Sequence, residues 1–320
     1  MPLRLVHMTD IFHPHGDPDD HYDLAVAFAL HARGYLELHR VIMDYPPAHR
    51  LGDPALCAVA QLNEITHSDV RACVAPSDPR RTGEMILSIL RESDLPVAFS
   101  VVGTTANIAA AISADSRLFQ EKCAGIYLAA GTGMETPGGD LEYNVRLHPA
   151  AYAATLSAPC PIYWAPCYHT IRPDLGEQGG EYCSVYCLHQ KELLAHLPPV
   201  MQKYFLYMLT RSEDPQYLRY LHKPLDAAAL MEHGENKRRL WSTPLLLHAG
   251  GVPCDSFEFI PVRVNAQSDG HLTWVRDESS AIHLLHLTRC DRETADSFDT
   301  TGTYRAEMVA KLRELLSRFD

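Results

Sequence analysis

The chain has 320 residues, 46% of them hydrophobic and 21% charged, with 18 glycines and 22 prolines, a balance that excludes collagen, a coiled coil and wholesale disorder. Lysine and arginine number 28 against 40 aspartates and glutamates, a net charge of −12. Such a body repels phosphate backbones and anionic lipid, so no nucleic acid and no membrane is expected as partner, and a small-molecule substrate fits better.

Residues 3–8 form a short apolar run closed by Thr9-Asp10 and predict a buried strand. Residues 24–31 are rich in Ala and Leu, preceded by Asp23 and closed by Gly34, which are helix start and stop signals. Residues 36–43 predict a second strand, ended by Asp44 and the breaker Pro46-Pro47. A helix is expected over 54–62, with Asp53 as cap and Pro54 in its first position. Then come a strand at 71–75, a helix at 85–91 and a strand at 96–102. Gly103 opens a turn into an Ala-rich helix at 107–114, and a strand at 124–130 runs into a Gly-rich loop at 131–140. From about 191 to 239 the pattern turns helical and more polar; a strand at 259–264 and a helix at 304–319 follow. No linker-like stretch divides the chain. The expected fold class is α/β: residues 1–320 as a single domain, with an open, mostly parallel sheet flanked by helices.

Nine cysteines are scattered without framework spacing. The N-terminal residues carry no signal-peptide pattern and no window offers about 18 uninterrupted apolar residues, so a cytoplasmic protein with unpaired thiols is expected. Cys160, Cys167, Cys183 and Cys187 lack C-x2-C knuckles and read as core thiols rather than zinc ligands.

In open α/β sheets, ligands sit beyond the carboxyl ends of the strands. There, residues 9–23 crowd five carboxylates, Asp10, Asp17, Asp19, Asp20 and Asp23, into one strand-to-helix connection. Like charges this close raise each other's pKa unless a cation neutralises them, and a hard divalent ion with oxygen ligands is the simplest remedy. The competing reading makes Asp20 or Asp23 a helix cap and leaves the others solvated. His13, His15 and His21 share the loop and keep a softer, zinc-like metal open as a third reading.

Thr9-Asp10 followed by Asp17-Pro18-Asp19-Asp20, after a first strand and before an apolar helix, resembles the D-x-D-P-G-x-D-D signature of the inosine-uridine nucleoside hydrolase superfamily. Gly103-Thr104-Thr105-Ala106-Asn107-Ile108 is similar to that family's G-P-L-T-N-I turn. The stretch from Ala129 to Asn144, with Glu142-Tyr143-Asn144 leading to Pro149-Ala150-Ala151, is similar to its glycine-rich loop, E-F-N and D-P-x-A-A. The resemblance covers about half the chain. It implies a nucleoside hydrolase-like fold and hydrolysis of an N-glycosidic bond in a ribonucleoside or related glycoside, with Ca2+ as divalent cation. A homo-oligomer is a further implication. Asp10 and Asp20 would bind the metal with the backbone carbonyl of Ala106, and Asp19, Glu142 and Asn144 would hold the sugar. Asp10 would activate the attacking water.

Three departures bear on that implication. Ile11 to Gly16 interrupts the first motif, so Asp17 competes with Asp10 for the metal and base role; Asp10 is favoured because it ends the strand. The family's Asn after the second strand is missing, with Asp44 or His49 nearby. Its C-terminal His-Asp pair is replaced by Trp241 and Ser242, and the fallback pair His248 and Asp255 is off in spacing. Trp241 offers a stacking face for the substrate, and Ser242 only a neutral oxygen. A non-catalytic sugar- or nucleoside-binding protein is the alternative, and a metal-dependent phosphoesterase a third reading, against which the acidic charge and the missing Gly-Lys-Ser argue.

Overall fold

The computed structural model describes residues 1–14, 19–46, 52–133, 140–167, 180–289 and 302–319. Three residues weighed for function in the sequence, Asp17, His15 and His49, fall outside them.

The first half alternates as expected. Strand β1 (Leu3–Thr9) is followed by a two-residue strand β2 (Phe12–His13), helix α1 (Asp19–Ala32) and β3 (Leu36–Met43). Next come β4 (Asp53–Pro54), α2 (Leu56–Thr66), β5 (Arg71–Val74), α3 (Pro79–Glu92), β6 (Val97–Val101), α4 (Ala106–Ala114), α5 (Ser116–Lys122) and β7 (Cys123–Ala129). After β7 stand α6 (Tyr143–Leu147), α7 (Pro149–Thr155), β8 (Ile162–Ala165), β9 (Tyr186–His189), α8 (Lys191–Leu194), α9 (Pro199–Leu209), α10 (Tyr217–Tyr220) and α11 (Ala227–Gly234). The remaining elements are β10 (Lys237–Leu240), α12 (Thr243–Ala249), β11 (Phe257–Ala266), β12 (Leu272–Arg276), β13 (Ile282–Leu287) and α13 (Thr303–Leu316).

The main sheet has nine strands in the order β12-β11-β13-β8-β7-β6-β1-β3-β5. Every neighbouring pair from β13 to β5 is parallel, and β11 alone runs against the rest, pairing antiparallel with β13 on one side and with the edge strand β12 on the other. The chain winds outward from β1 through β3 to β5, returns across the sheet to β6, then winds the other way through β7 and β8. The crevice between the ends of β1 and β6 is thus the switch point at which such folds bind ligands.

Parallel strands covered on both faces read as continuous apolar runs, and β1 and β6 do. Leu5 belongs to a core cluster shared with α1, α2, α12 and α13, while Val6 and Met8 belong to a second one shared with α3, α4 and α7. Even His7 in β1 is fully buried, its Nδ1 3.0 Å from the Ser100 hydroxyl.

Several elements differ from the sequence expectation. Helix α1 starts one turn earlier than the apolar run, so Asp19, Asp20 and Asp23 belong to the helix rather than to a loop; acids in a first turn complement the helix dipole. Asp53 and Pro54 do not cap α2. They pair antiparallel with Phe12 and His13, Ala55 N–H donates to the Ile11 carbonyl at 3.2 Å, and the inserted residues Ile11 and Phe12 are buried. Gly52 makes this possible: it has φ +142°, and a Cβ there would lie 2.9 Å from the His13 backbone. The region around 191–239 is less polar than its sequence suggests, because Met201, Tyr204, Phe205 and Met208 of α9 join the core. The described cysteines are free thiols, and no described helix is long and apolar enough to cross a membrane.

Candidate active site

Thr9, the last residue of β1, organises the switch point. Its hydroxyl donates to Asp20 Oδ1 at 2.9 Å, tying the strand end to the first turn of α1. Its carbonyl accepts the Asp44 N–H at 2.8 Å, which brings the end of β3 alongside. Asp44, 4% exposed, is then fixed from the β6–α4 turn: Oδ2 accepts the Thr104 N–H at 2.8 Å and Oδ1 the Asn107 side-chain amide at 2.9 Å. Gly103 leaves the room. A Cβ there would come within 2.3 Å of Asp44 Oδ2 and 3.0 Å of the Asp10 nitrogen. Asp10 and Asp44 therefore both border Gly103 at the crevice, which brings Asp44 to the switch point.

The acids act on one another. Burial, followed by the charges of Asp10, Asp19 and Asp23, pushes the Asp20 carboxyl well above its ordinary value, against the pull of the Thr9 hydroxyl. Asp44 is raised by burial and then by Asp10, against its two hydrogen bonds. Asp23 is raised to about 7, mainly by burial and further by Asp10, while a hydrogen bond from Ser242 opposes the shift. The charges that act most strongly on these three are all negative. Asp23 and Asp44, at 2% and 4% exposure, are not solvated carboxylates of a surface loop.

Opposite them, Glu142 caps α6. Its Oε1 accepts the Asn144 N–H at 2.9 Å, and Oε2 accepts those of Gly131 at 3.0 Å and Val145 at 3.3 Å. Burial raises its pKa against those bonds. Asn144 donates its amide to the Val102 carbonyl at 3.1 Å, which leaves Oδ1 buried without a partner. Trp164 steadies the same loop by donating to the Ala130 carbonyl at 2.8 Å. Burial, followed by the charges of Glu142 and Asp19, pushes the Cys167 thiol well above its ordinary value.

A cavity of about 200 Å3 opens over Asp10, Asp44 and Ala106, with Phe12, Tyr45, Tyr143 and His148 in its walls. Acid floor and aromatic walls suit a polar sugar carrying a flat ring. Trp241 is half-buried against the core and is not among the residues lining this cavity, while Ser242, 3% exposed, starts α12 beside Asp23. His13 is bound elsewhere, with Nε2 2.6 Å from the Ser212 carbonyl and its ring stacked on Tyr207 at 4.9 Å. His248 sits between the rings of Tyr163 and Phe259, and Asp255 is exposed. Neither joins the acids in any described contact.

A hard dication suits the donors: carboxylates of Asp10, Asp20 and Asp44, and two buried oxygens without partners, Asp23 Oδ1 and Asn144 Oδ1. Among the described residues no three His, Cys, Asp or Glu side chains are arranged to hold a metal between them. Neutral oxygens, water and the undescribed Asp17 would have to complete such a shell. The sequence reading gave no role at the site to Phe12, to Tyr143 or to Cys167, which it took as a core thiol. Only the spacing of Tyr143 inside Glu142-Tyr143-Asn144 could have signalled one of them.

No protein-family model matches the chain, and no curated protein matches it. Solved structures do. The effector protein XOO4466 aligns at a TM-score of 0.55 and 16% identity, over 99% of this chain and 94% of its own. The type III effector XopQ complexed with adenosine diphosphate ribose gives 0.54 and 16%, over 99% and 95%. An inosine-uridine preferring nucleoside hydrolase from Bacillus anthracis gives 0.51 and 14%, over 98% and 100%. Identities this low speak for architecture alone: the chain carries the nucleoside hydrolase fold.

Proposed function

We propose that the protein is a metal-dependent hydrolase of an N-glycosidic bond in a ribonucleoside or a related glycoside. The observation that carries this reading is the placement of Asp10 and Asp44 at the floor of an aromatic-walled cavity, at the switch point of a nucleoside hydrolase fold. Asp10 is the general base. It takes a proton from water as the water oxygen bonds to the anomeric carbon and the C–N bond breaks, the electron pair leaving with the base. Asp19 accepts from a ribose hydroxyl. Asn144 Oδ1, buried and unpartnered, accepts from another. Glu142 holds the loop and, through the remaining lone pair of Oε1, the sugar. Trp241 is proposed to stack on substrate that extends beyond the cavity. Calcium, held by Asp10, Asp20, Asp17 and the Ala106 carbonyl, would orient the sugar diol and lower the pKa of a bound water. A cytoplasmic homo-oligomer completes the proposal.

Release of ribose from a panel of nucleosides, measured with and without a chelator, tests it. Turnover that the chelator and Asp10→Asn each reduce at least about a hundredfold supports the reading. No release from any nucleoside by folded, calcium-loaded protein refutes it.

A second reading, a non-catalytic sugar- or nucleoside-binding protein, is favoured by two observations. Trp241, at the place of the histidine expected near the departing base, cannot donate a proton as an acid does, and three backbone N–H groups occupy Glu142. XopQ, complexed with adenosine diphosphate ribose, sits on the same fold. Ligand-induced thermal stabilisation without ribose release would decide for it.

A further inference from the structure

Cleavage of a glycosidic C–N bond leaves its electron pair on the departing base, and a ring nitrogen that carries it alone is a poor leaving group. A proton delivered to the base as the bond breaks speeds such a step by about a hundredfold to ten-thousandfold. Few groups in the cavity can supply one. Asp10 and Asp44 are carboxylates, Trp241 does not line it, and His13 and His248 are engaged elsewhere. The tyrosines in its walls are phenols, a class that holds its proton far above neutrality. His148 is the remaining acid–base side chain among the described residues that line it, and imidazole is the side chain suited to proton transfer near neutral pH. It stands at the corner between α6 and α7, where the backbone is held from both directions. His148 N–H donates to the Val145 carbonyl at 3.1 Å, and its own carbonyl accepts the Ala151 and Tyr152 N–H groups at 3.0 and 3.1 Å. Gly270, in the turn between β11 and β12, presses on the same corner: a Cβ there would lie 2.8 Å from Val145 and 3.0 Å from Pro149. His148 occupies the N-cap of α7, a place that favours Ser, Thr, Asp or Asn, yet its side chain makes no capping hydrogen bond. An exposed ring on a fixed backbone is thus left to the cavity whose floor holds Asp10.

We propose that His148 is the general acid for this bond, its imidazolium giving a proton to a ring nitrogen of the departing base. The proposal rests on the hydrolase reading of the site and adds the donor that reading lacks. The water oxygen bonds to the anomeric carbon as Asp10 takes one of its protons. The C–N electron pair passes to the base, and the His148 proton neutralises it. Ribose and the free base leave; neutral His148 then takes a proton from solvent, and Asp10 returns one to it.

Full-length wild type, His148→Ala, His148→Gln and Asp10→Asn are assayed with calcium on inosine, on uridine and on p-nitrophenyl riboside, whose phenolate departs without a proton. Both His148 variants are expected to lose about a hundredfold or more in kcat on the nucleosides and less than about fivefold on the nitrophenyl riboside. Added imidazole should restore part of the nucleoside activity of His148→Ala, and Asp10→Asn should fail on all three substrates. Equal losses on both kinds of substrate, or none on either, overturn the inference and leave the hydrolase reading standing. So does a wild type that cleaves the nitrophenyl riboside alone. Where the wild type cleaves only nucleosides, failure of imidazole to restore His148→Ala overturns the inference. A folded wild type that cleaves none of the three overturns both. Should His148→Ala fail to fold, His148→Gln is judged by the same losses.

Discussion

Replacing Gly103 with alanine adds one carbon at the tightest point of the site. That carbon would lie 2.3 Å from Asp44 Oδ2, 3.0 Å from the Asp10 backbone nitrogen and 3.1 Å from the Asp10 Cβ. The Asp10 backbone cannot retreat, because Thr9 before it is paired with Met43 of β3 and Met8 with Val101 of β6, so Asp44 must swing away. In doing so it gives up the Thr104 N–H at 2.8 Å and the Asn107 amide at 2.9 Å. Overpacking of this kind costs about 1–3 kcal/mol, and a buried hydrogen bond left unmade about as much. We expect Gly103→Ala to lose about 2–4 kcal/mol in urea unfolding and to weaken nucleoside binding in the same sample. A variant within about 0.5 kcal/mol of wild type, binding normally, would show that Asp10 and Asp44 are not pressed together through Gly103.

Three further outcomes are expected. Burial lowers His7 to about 4 from its ordinary 6.5, so the unfolded chain takes a proton that the folded chain refuses; its contribution is fully present above about pH 6.5 and falls by about 3 kcal/mol as the pH drops toward 4. Urea unfolding at pH 7 and pH 4.5 should show that slope reduced in His7→Leu. Glu142→Gln keeps one acceptor oxygen for three backbone N–H groups, and should lose about 1–2 kcal/mol by the same measurement, as for a lost helix cap. Trp164→Phe strands the Ala130 carbonyl at a cost of about 1–3 kcal/mol, with faster amide hydrogen exchange across residues 130–133.

The fold was legible where the sequence pattern is local. Strands β1, β3, β5, β6 and β7 are apolar runs bounded by breakers, and helix α4 follows Gly103 as its Ala-rich composition suggests. Strand β8 was not legible, because its four residues follow Pro159 and Pro161 and owe their extended form to pairing with β7 and β13. The same holds for Asp53 and Pro54. Local rules make them a helix start, and pairing with the inserted Phe12 and His13 overrides those rules.

The sequence by itself determined that acids crowd the end of the first strand, that a glycine-led turn follows the fourth sheet strand, and that Glu142 and Asn144 lie one helical cap apart. These are matters of spacing along the chain, and spacing survives any packing. Tertiary structure alone decided which acids meet. Asp44 reaches Asp10 because β1 lies between β3 and β6, and Gly103 leaves the gap it fills. Asp23 meets Ser242, 219 positions away by subtraction of their numbers, because α12 and α1 cover the same face of the sheet. Whether a carboxylate is a solvated cap or a charge in need of a cation depends on what is packed around it, and burial is a property of the whole fold.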